Sequence, residues 1–351
     1  MNKFFRFRMA TAITIAALIA LLGATSAFAG GSQENGSSAS GKISLKVNDI
    51  GAPNSIQDQA LHKFKTEIEQ KSNGKITVQI FSSGTLFGQK DQTAALEQGQ
   101  VDMILCAAQD LATQVPKLGY FGSAYAFKNY TAMNEVLNGP YGKTIFQEVA
   151  KVTGALPLGA WYLGSRELNY KDIGHEIKTP QDLQGVKLRM PDAPAWLALG
   201  QALGAKPVPI SFTEVYTALQ TGTIDAQDNP LTIDRDSKFY EVAKNISLTN
   251  HVIDSEWPTF NLQKWNSLSK SDQDMIQQAL NDAGQWMSQQ TIDQEKSLVD
   301  WFKQHGVNIV HPDVNAFYQY AQNWYKTHPS ATKGWDQSMI DEVNKVNNSV
   351  K

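Results

Sequence analysis

Between residues 43 and 106 the spacing of apolar side chains switches period repeatedly, and no feature of the sequence restricts the fold more. Ile43 to Asn48 alternates apolar and polar residues, as a half-buried strand does. Ile56 to Lys71 then places Ala60, Leu61, Phe64 and Ile68 at helical spacing, and Asn73-Gly74 stops the helix. Lys75 to Phe81 is rich in β-branched residues and reads as a second strand. Gln92 to Gln98 reads as helix, Gly99 ends it, and Val101 to Cys106 reads as a short buried strand. This alternation predicts a right-handed βαβαβ unit, hence an α/β domain with a parallel sheet.

The same grammar returns between about residues 155 and 250. Gly185 to Met190 reads as strand, Ala195 to Leu203 as a helix closed by Gly204, and Thr213 to Thr221 as a helix closed by Gly222. Ile224 to Gln227 enters the next short strand. Two α/β lobes predict a hinged clamshell with a ligand cleft between them. The C-terminal third is helical in pattern. Ser269 is a cap with Asp272 three residues on, and no Pro interrupts before Trp301-Phe302. An unbroken helix there would be on the order of 50 Å long and could brace both lobes. Asn315 to Thr327 reads as a further helix.

The first residues read as an address. Lys3, Arg6 and Arg8 precede an uncharged apolar run, Met9 to Leu22, and Ala27-Phe28-Ala29 has the small-x-small pattern of a signal peptidase site. The run, about 14 residues, is short of the roughly 20 that span a bilayer. Residues 30–41 are Gly/Ser-rich and polar, as a flexible tether is. The expected division is a signal peptide over 1–29, a linker over 30–41, mainly the first lobe over 42–163 and mainly the second over 164–255. A helical region over 256–351 then packs on both, with a return strand to the first lobe. Removing the leader takes three positive charges from a chain of net charge −3, leaving about −6. With no basic stripe, nucleic acid is excluded as a partner. Cys106 is the single cysteine, so no intrachain disulfide forms; export with a lone buried thiol fits a bacterial periplasm or cell surface.

Motifs for catalysis are missing. There is no Gly-x-Gly-x-x-Gly, phosphate loop, Gly-x-Ser-x-Gly or His-Glu-x-x-His; His175-Glu176 is followed by Thr179 where zinc would need a second His. The six His residues are scattered, and neither a cofactor nor a metal is expected. The informative residues are Arg166 and Arg189, each near an expected strand end amid apolar or aromatic sequence. A guanidinium there needs an anion, and its planar fork matches a carboxylate with two parallel hydrogen bonds. Spacing alone leaves open whether that anion is a guest or an internal Asp or Glu, and the internal partner is the simpler reading.

The stretch Gly185 to Pro230 contains a Gly-x-Lys-x-Arg strand end and Ala-Leu-Gly-Ala-x-Pro at 202–207. A Glu-Val-Tyr-x-Ala-Leu-Gln-x-Gly helix at 214–222 and an Asp-Asn-Pro ending at 228–230 follow. With Gly84 to Gly88, the Gly99-to-Asp102 strand entry and Asn138 to Gly142, this pattern marks a family. From Ile43 to about Asp313 the chain resembles the substrate-binding proteins of tripartite ATP-independent periplasmic (TRAP) transporters, the DctP-like family. The resemblance implies a two-lobed periplasmic-binding-protein clamshell, type II-like, with long C-terminal helices bracing both lobes. It implies that Arg189 clamps a carboxylate, that Arg166 is a second basic contact, that Asn229 donates to the same group, and that Phe212 walls the apolar side. Further candidates are Asp228 and Gln227, the tryptophans Trp161, Trp196 and Trp257, and Asn48, Asp49 and Gln109 from the first lobe. One departure is Ser123 to Phe127, where relatives often carry a Pro-Phe-leading apolar stretch.

The expected role is an exported solute-binding protein that delivers a small organic acid to the small and large membrane subunits of such a transporter. The long C-terminal helices allow either a monomer or a homodimer. Tryptophans and polar groups around an arginine suit a hydroxylated acid such as a sugar acid; C4-dicarboxylates, 2-oxo acids, sialic acids and sulfonates stay open. The competing readings are a binding protein of an ATP-driven importer or sensor, and an exported enzyme acting on an organic acid.

Overall fold

The computed structural model describes residues Gly41–Lys351. The expected leader and all but the last residue of the expected tether lie outside the described residues. The first expected unit is present: β1 (Ile43–Asn48), the helix Ile56–Lys71, β2 (Ile76–Phe81), the helix Gln92–Glu97 and β3 (Met103–Cys106). β1 is parallel to both β2 and β3. Ser55 caps the first helix by accepting from the Asp58 N–H at 3.3 Å, which satisfies one of the free donors of the first turn. Past the other end, Asn73 and Gly74 take positive φ, 50° and 74°, as the Asn-Gly stop predicts.

The remaining strands are β4 (Ala155–Pro157), β5 (Trp161–Tyr170), β6 (Lys187–Met190), β7 (Lys206–Pro209), β8 (Ala226–Pro230), β9 (Asn245–Asn261) and β10 (Asn308–Val310). The continuous order is β2-β1-β3-β9-β5-β8-β6-β7, with β4 and β10 also paired to β9. β9 is the element that the sequence hides. Its 17 residues pair antiparallel with β5 from Asn245 to Glu256, then with β3 and β4 from Trp257 to Asn261. One strand therefore belongs to both lobes, and the sheet is mixed rather than wholly parallel as expected. The expected boundary at residues 255/256 falls inside β9.

The second lobe holds β6 parallel to β7 and β8, with β8 antiparallel to β5. At Gly164 a register shift bends β5; its φ of 130° and the closeness of Pro230 leave no room for a side chain. The long helix runs over Lys270–Gln304, 35 residues, with Ser269 as its cap. At 1.5 Å per residue it spans about 52 Å. Ile276, Leu280 and Ala283 share a core with Leu61 and Phe64 of the first lobe. Further along, Leu298 and Phe302 pack with Leu231 and Ile246 of the second. The brace expected from the unbroken pattern is there.

Candidate functional site

The sheet order β5-β8-β6 sets Arg166, Asn229 and Arg189 side by side, since Arg166 lies opposite Pro230 and Arg189 opposite Gln227. Arg189 is 1% exposed. Its Nε donates to the Ile210 carbonyl at 2.7 Å and its Nη2 to Gln89 Oε1 at 2.7 Å. The guanidinium carbon lies 5.8 Å from the centre of the Phe212 ring. Among the described residues no carboxylate stands within salt-bridge distance of it. Burial pushes its pKa from 12.5 down to about 9, with Asp228 and Asp110 opposing at longer range.

Arg166 sits on the same wall and is the opposite case. Its Nε donates to Asp228 Oδ2 at 2.7 Å and its Nη1 to Asp254 Oδ2 at 2.6 Å. Burial opposes its charge, yet the two carboxylates more than offset this and hold the guanidinium above its ordinary pKa. The same charge, with His251, holds the Asp228 carboxyl below the usual range despite burial; at Asp254 burial wins and the pKa rises. The guanidinium also lies 4.7 Å from the Trp196 ring centre, a cation–π distance. Its Nη2 reaches Asn229 Oδ1 at 3.2 Å, and Asn229 Nδ2 donates to Gln227 Oε1 at 2.5 Å. Asn229 is thus fixed from both sides.

The two walls meet around a narrow cleft with a cavity volume of about 50 Å³. Arg189, Arg166, Asn229, Phe212 and Trp196 all line it. Four contacts bridge it: Gln89 Oε1 accepts from Arg189 and, at 3.1 Å, from the Phe212 N–H, Lys90 Nζ donates to Asp192 Oδ2 at 2.7 Å, and Trp196 Nε1 donates to Asp110 Oδ1 at 2.9 Å. The other expected contacts are set back. Asp228 serves Arg166 and lies 3.0 Å from His251 Nε2. Gln227 donates to Asp234 Oδ1 at 2.6 Å. Asn48 is spent on the turn after β2, bonding Phe87 through both its carbonyl and its amide. Gln109 donates to the Gly122 carbonyl. Asp49 accepts from Gly51 N–H, immediately behind the cleft surface. Trp161 and Trp257 are core residues. Trp161 packs on Gly284, and Trp257 lies edge-on to Phe146 with its Nε1 on Ser255 Oγ.

Sequence reasoning passed over Gln89, Gln57, Asp110 and Glu256, all cleft-lining. Gln89 directly follows the Gly84–Gly88 stretch, a signal that was there to follow; Glu256 is mid-strand in β9 and has none. Cys106 also lines the cleft, but burial pushes its thiol pKa up and its side-chain neighbour is the Thr259 hydroxyl. An activated thiolate needs the reverse environment. Among the described residues no group of His, Cys, Asp and Glu is arranged to hold a metal.

A model of the bacterial extracellular solute-binding proteins, family 7 (DctP), matches residues 47–331. A TRAP periplasmic solute binding protein from Roseobacter denitrificans, with bound 3-deoxy-D-manno-oct-2-ulosonic acid, is 33% identical. It superposes with a TM-score of 0.82, covering 87% of this chain and 99% of that one. The sugar acid binding protein of Advenella mimigardefordensis, in complex with galactonate, also gives a TM-score of 0.82 at 25% identity, covering 88% of this chain and 99% of that one. The sialic acid-binding periplasmic protein SiaP of Vibrio cholerae is 29% identical over 282 residues, 80% of this chain and 87% of its own length.

Proposed function

Since the chain belongs to the bacterial extracellular solute-binding proteins of family 7, whose members are binding proteins, we propose that it captures a small organic acid by its carboxylate and delivers it to a TRAP-type membrane transporter. The observation that carries this reading is Arg189, a buried guanidinium at the cleft wall with two protein acceptors and, among the described residues, no carboxylate within salt-bridge distance. A buried cation with no internal anion is costly, and a guest carboxylate supplies the missing partner.

In this mechanism the open lobes expose the clamp to water and the guest docks on Arg189. Closure brings Gln89 and Asp110 across from the first lobe and removes water from the ion pair. Binding energy selects the closed state, and no bond of the guest is made or broken. Asn229 and Phe212 touch the guest. Arg166, saturated by Asp228 and Asp254, acts by holding Asn229 in place. The named guests of the three relatives are carboxylic acids, which supports an acid here. The leader over 1–29 places the protein in the periplasm, tethered or trimmed at 30–41. Residues 42–163 and 164–255 form most of the two lobes, and 256–351 the brace.

The test is a thermal-shift screen against an organic-acid library, followed by recovery of the tightest ligand from the protein. A saturating ligand raises stability by a few kcal/mol. The proposal requires an acid as the hit, recovered unchanged. Turnover of that acid, or hits confined to uncharged compounds, would overturn it.

A further inference from the structure

Away from Arg189 the cleft changes character. Gln57 and Glu256 both line it, and Gln57 Oε1 and Glu256 Oε2 are buried oxygens with no hydrogen-bond partner among the described residues. A third such oxygen, Asp49 Oδ2, lies behind the cleft surface formed by Gly51. Buried acceptors are nearly always satisfied, so a cluster of open ones at a cavity wall calls for donors from a guest. Those donors must come without negative charge. The ionisable groups that bear on Glu256 are Asp49, Asp254 and Asp110, all carboxyls. Burial, and then those neighbours, push Glu256 well above the ordinary glutamate pKa; burial takes Asp49 to about 7. Asp254 is already spent on Arg166. A second carboxylate on the guest would find no cation there.

Resting on the clamp at Arg189, we propose that Glu256 is the specificity-determining residue of the cleft. It accepts hydrogen bonds from hydroxyl groups on the part of the guest away from the clamped carboxylate, so the site selects a polyhydroxylated monocarboxylic acid over a dicarboxylic one. Selection then has an attractive part, the open acceptors, and a discriminating part, the lack of any cation beside the carboxyl cluster.

Calorimetry on the exported protein with galactonate, gluconate and glucuronate, against succinate and malate, tests this. The wild-type protein is expected to bind one or more of the hydroxylated acids more tightly than either dicarboxylate. Glu256→Gln replaces one acceptor oxygen by a donor that a carboxylate can accept from. It should weaken the best hydroxylated acid by about tenfold or more and tighten succinate, narrowing their ratio from both sides. Because Oε2 has no protein partner to lose, the variant should melt no lower than wild type without ligand. A dicarboxylate bound more tightly by wild type, no binding by any of the five, or a Glu256→Gln variant that keeps its ratio within about twofold overturns the inference. Arg189→Met separates the two levels. If it abolishes binding while Glu256→Gln keeps the order of ligands, the clamp stands and the role of Glu256 falls. If Arg189→Met binds normally, the proposed function falls with it.

Discussion

Arg189→Met separates binding from stability in a way that few substitutions do. Methionine keeps much of the stem's packing and removes the charge. Loss of one partner from a buried ion pair costs about 3–5 kcal/mol, so affinity for the acid should fall by about a hundredfold to a few thousandfold. The ligand-free protein should respond little. The lowered pKa of Arg189 shows that burial disfavours the charged group more than Asp228, Asp110 and Glu214 favour it. At pH 7 both states are protonated and the full penalty is present. Removing the guanidinium forfeits its bonds to Ile210 and Gln89, each about 1.5–3 kcal/mol for a charged donor, which offsets much of the relief. The two effects nearly cancel, so the ligand-free melting temperature should change by no more than a few degrees. Calorimetric titration and scanning calorimetry on the same preparation read both quantities. A variant that melts several degrees lower and still binds the acid would refute the reasoning, because Arg189 would then be a structural cation.

Arg166→Met should do the reverse, leaving Asp228 and Asp254 buried without their cation: a cost of about 3–5 kcal/mol, read in thermal denaturation as a fall of about 6 °C or more. Asp49 has a folded pKa of about 7 against 3.8 unfolded, so the folded state holds the extra proton between these values and stability falls as pH rises across that window. The slope of melting temperature against pH from about 4 to 7 should be shallower in Asp49→Asn, and an unchanged slope would assign the proton elsewhere. Gly284→Ala puts a methyl group into the Trp161 ring and should destabilise by about 1–3 kcal/mol with ligand affinity per folded molecule unchanged, as denaturant titration would report. Gln89→Ala removes the first-lobe acceptor from Arg189, so the closed state should open sooner; stopped-flow release of the acid should be faster, with association little changed.

Local chemistry was legible where a single segment decides it. The first βαβαβ unit, the Ser55 and Ser269 caps and the 35-residue helix all follow from spacing and end signals within a few residues of one another. β9 was not legible because its buried positions carry Ser247, Thr249, His251 and Thr259, which break the apolar alternation. Their burial is made tolerable by bonds to remote chain: Ser247 Oγ donates to the Ile177 carbonyl, and His251 lies against Asp228. The two arginines show the same limit. Both were expected near strand ends; Arg189 is in the short β6, but Arg166 sits in the middle of β5, and nothing within ten residues of either separates them. Arg166 finds its carboxylates 62 and 88 residues away, and Arg189 finds only a carbonyl and an amide oxygen.

That β9 belongs to both lobes has a consequence for how the cleft carries charge. Asp254 and Glu256 are two residues apart on it, hence on one face of the strand, and both line the cavity. Asp254 is neutralised by Arg166 from β5; Glu256, at the last position paired with β5 before the strand passes to β3, is not. The same two-residue step that carries the chain from one lobe to the other also carries the wall from a carboxyl paired with a cation to one without. Arg189 stands on β6, beyond β8, on the far side of that step. A guest clamped at Arg189 and extending toward the first lobe must therefore present its negative end to the second lobe and its hydroxyl groups to Glu256. Reversal would set a carboxylate against carboxyls and leave Arg189 without an anion. On the proposed clamp at Arg189, orientation of the guest would then follow from a polarity built into β9.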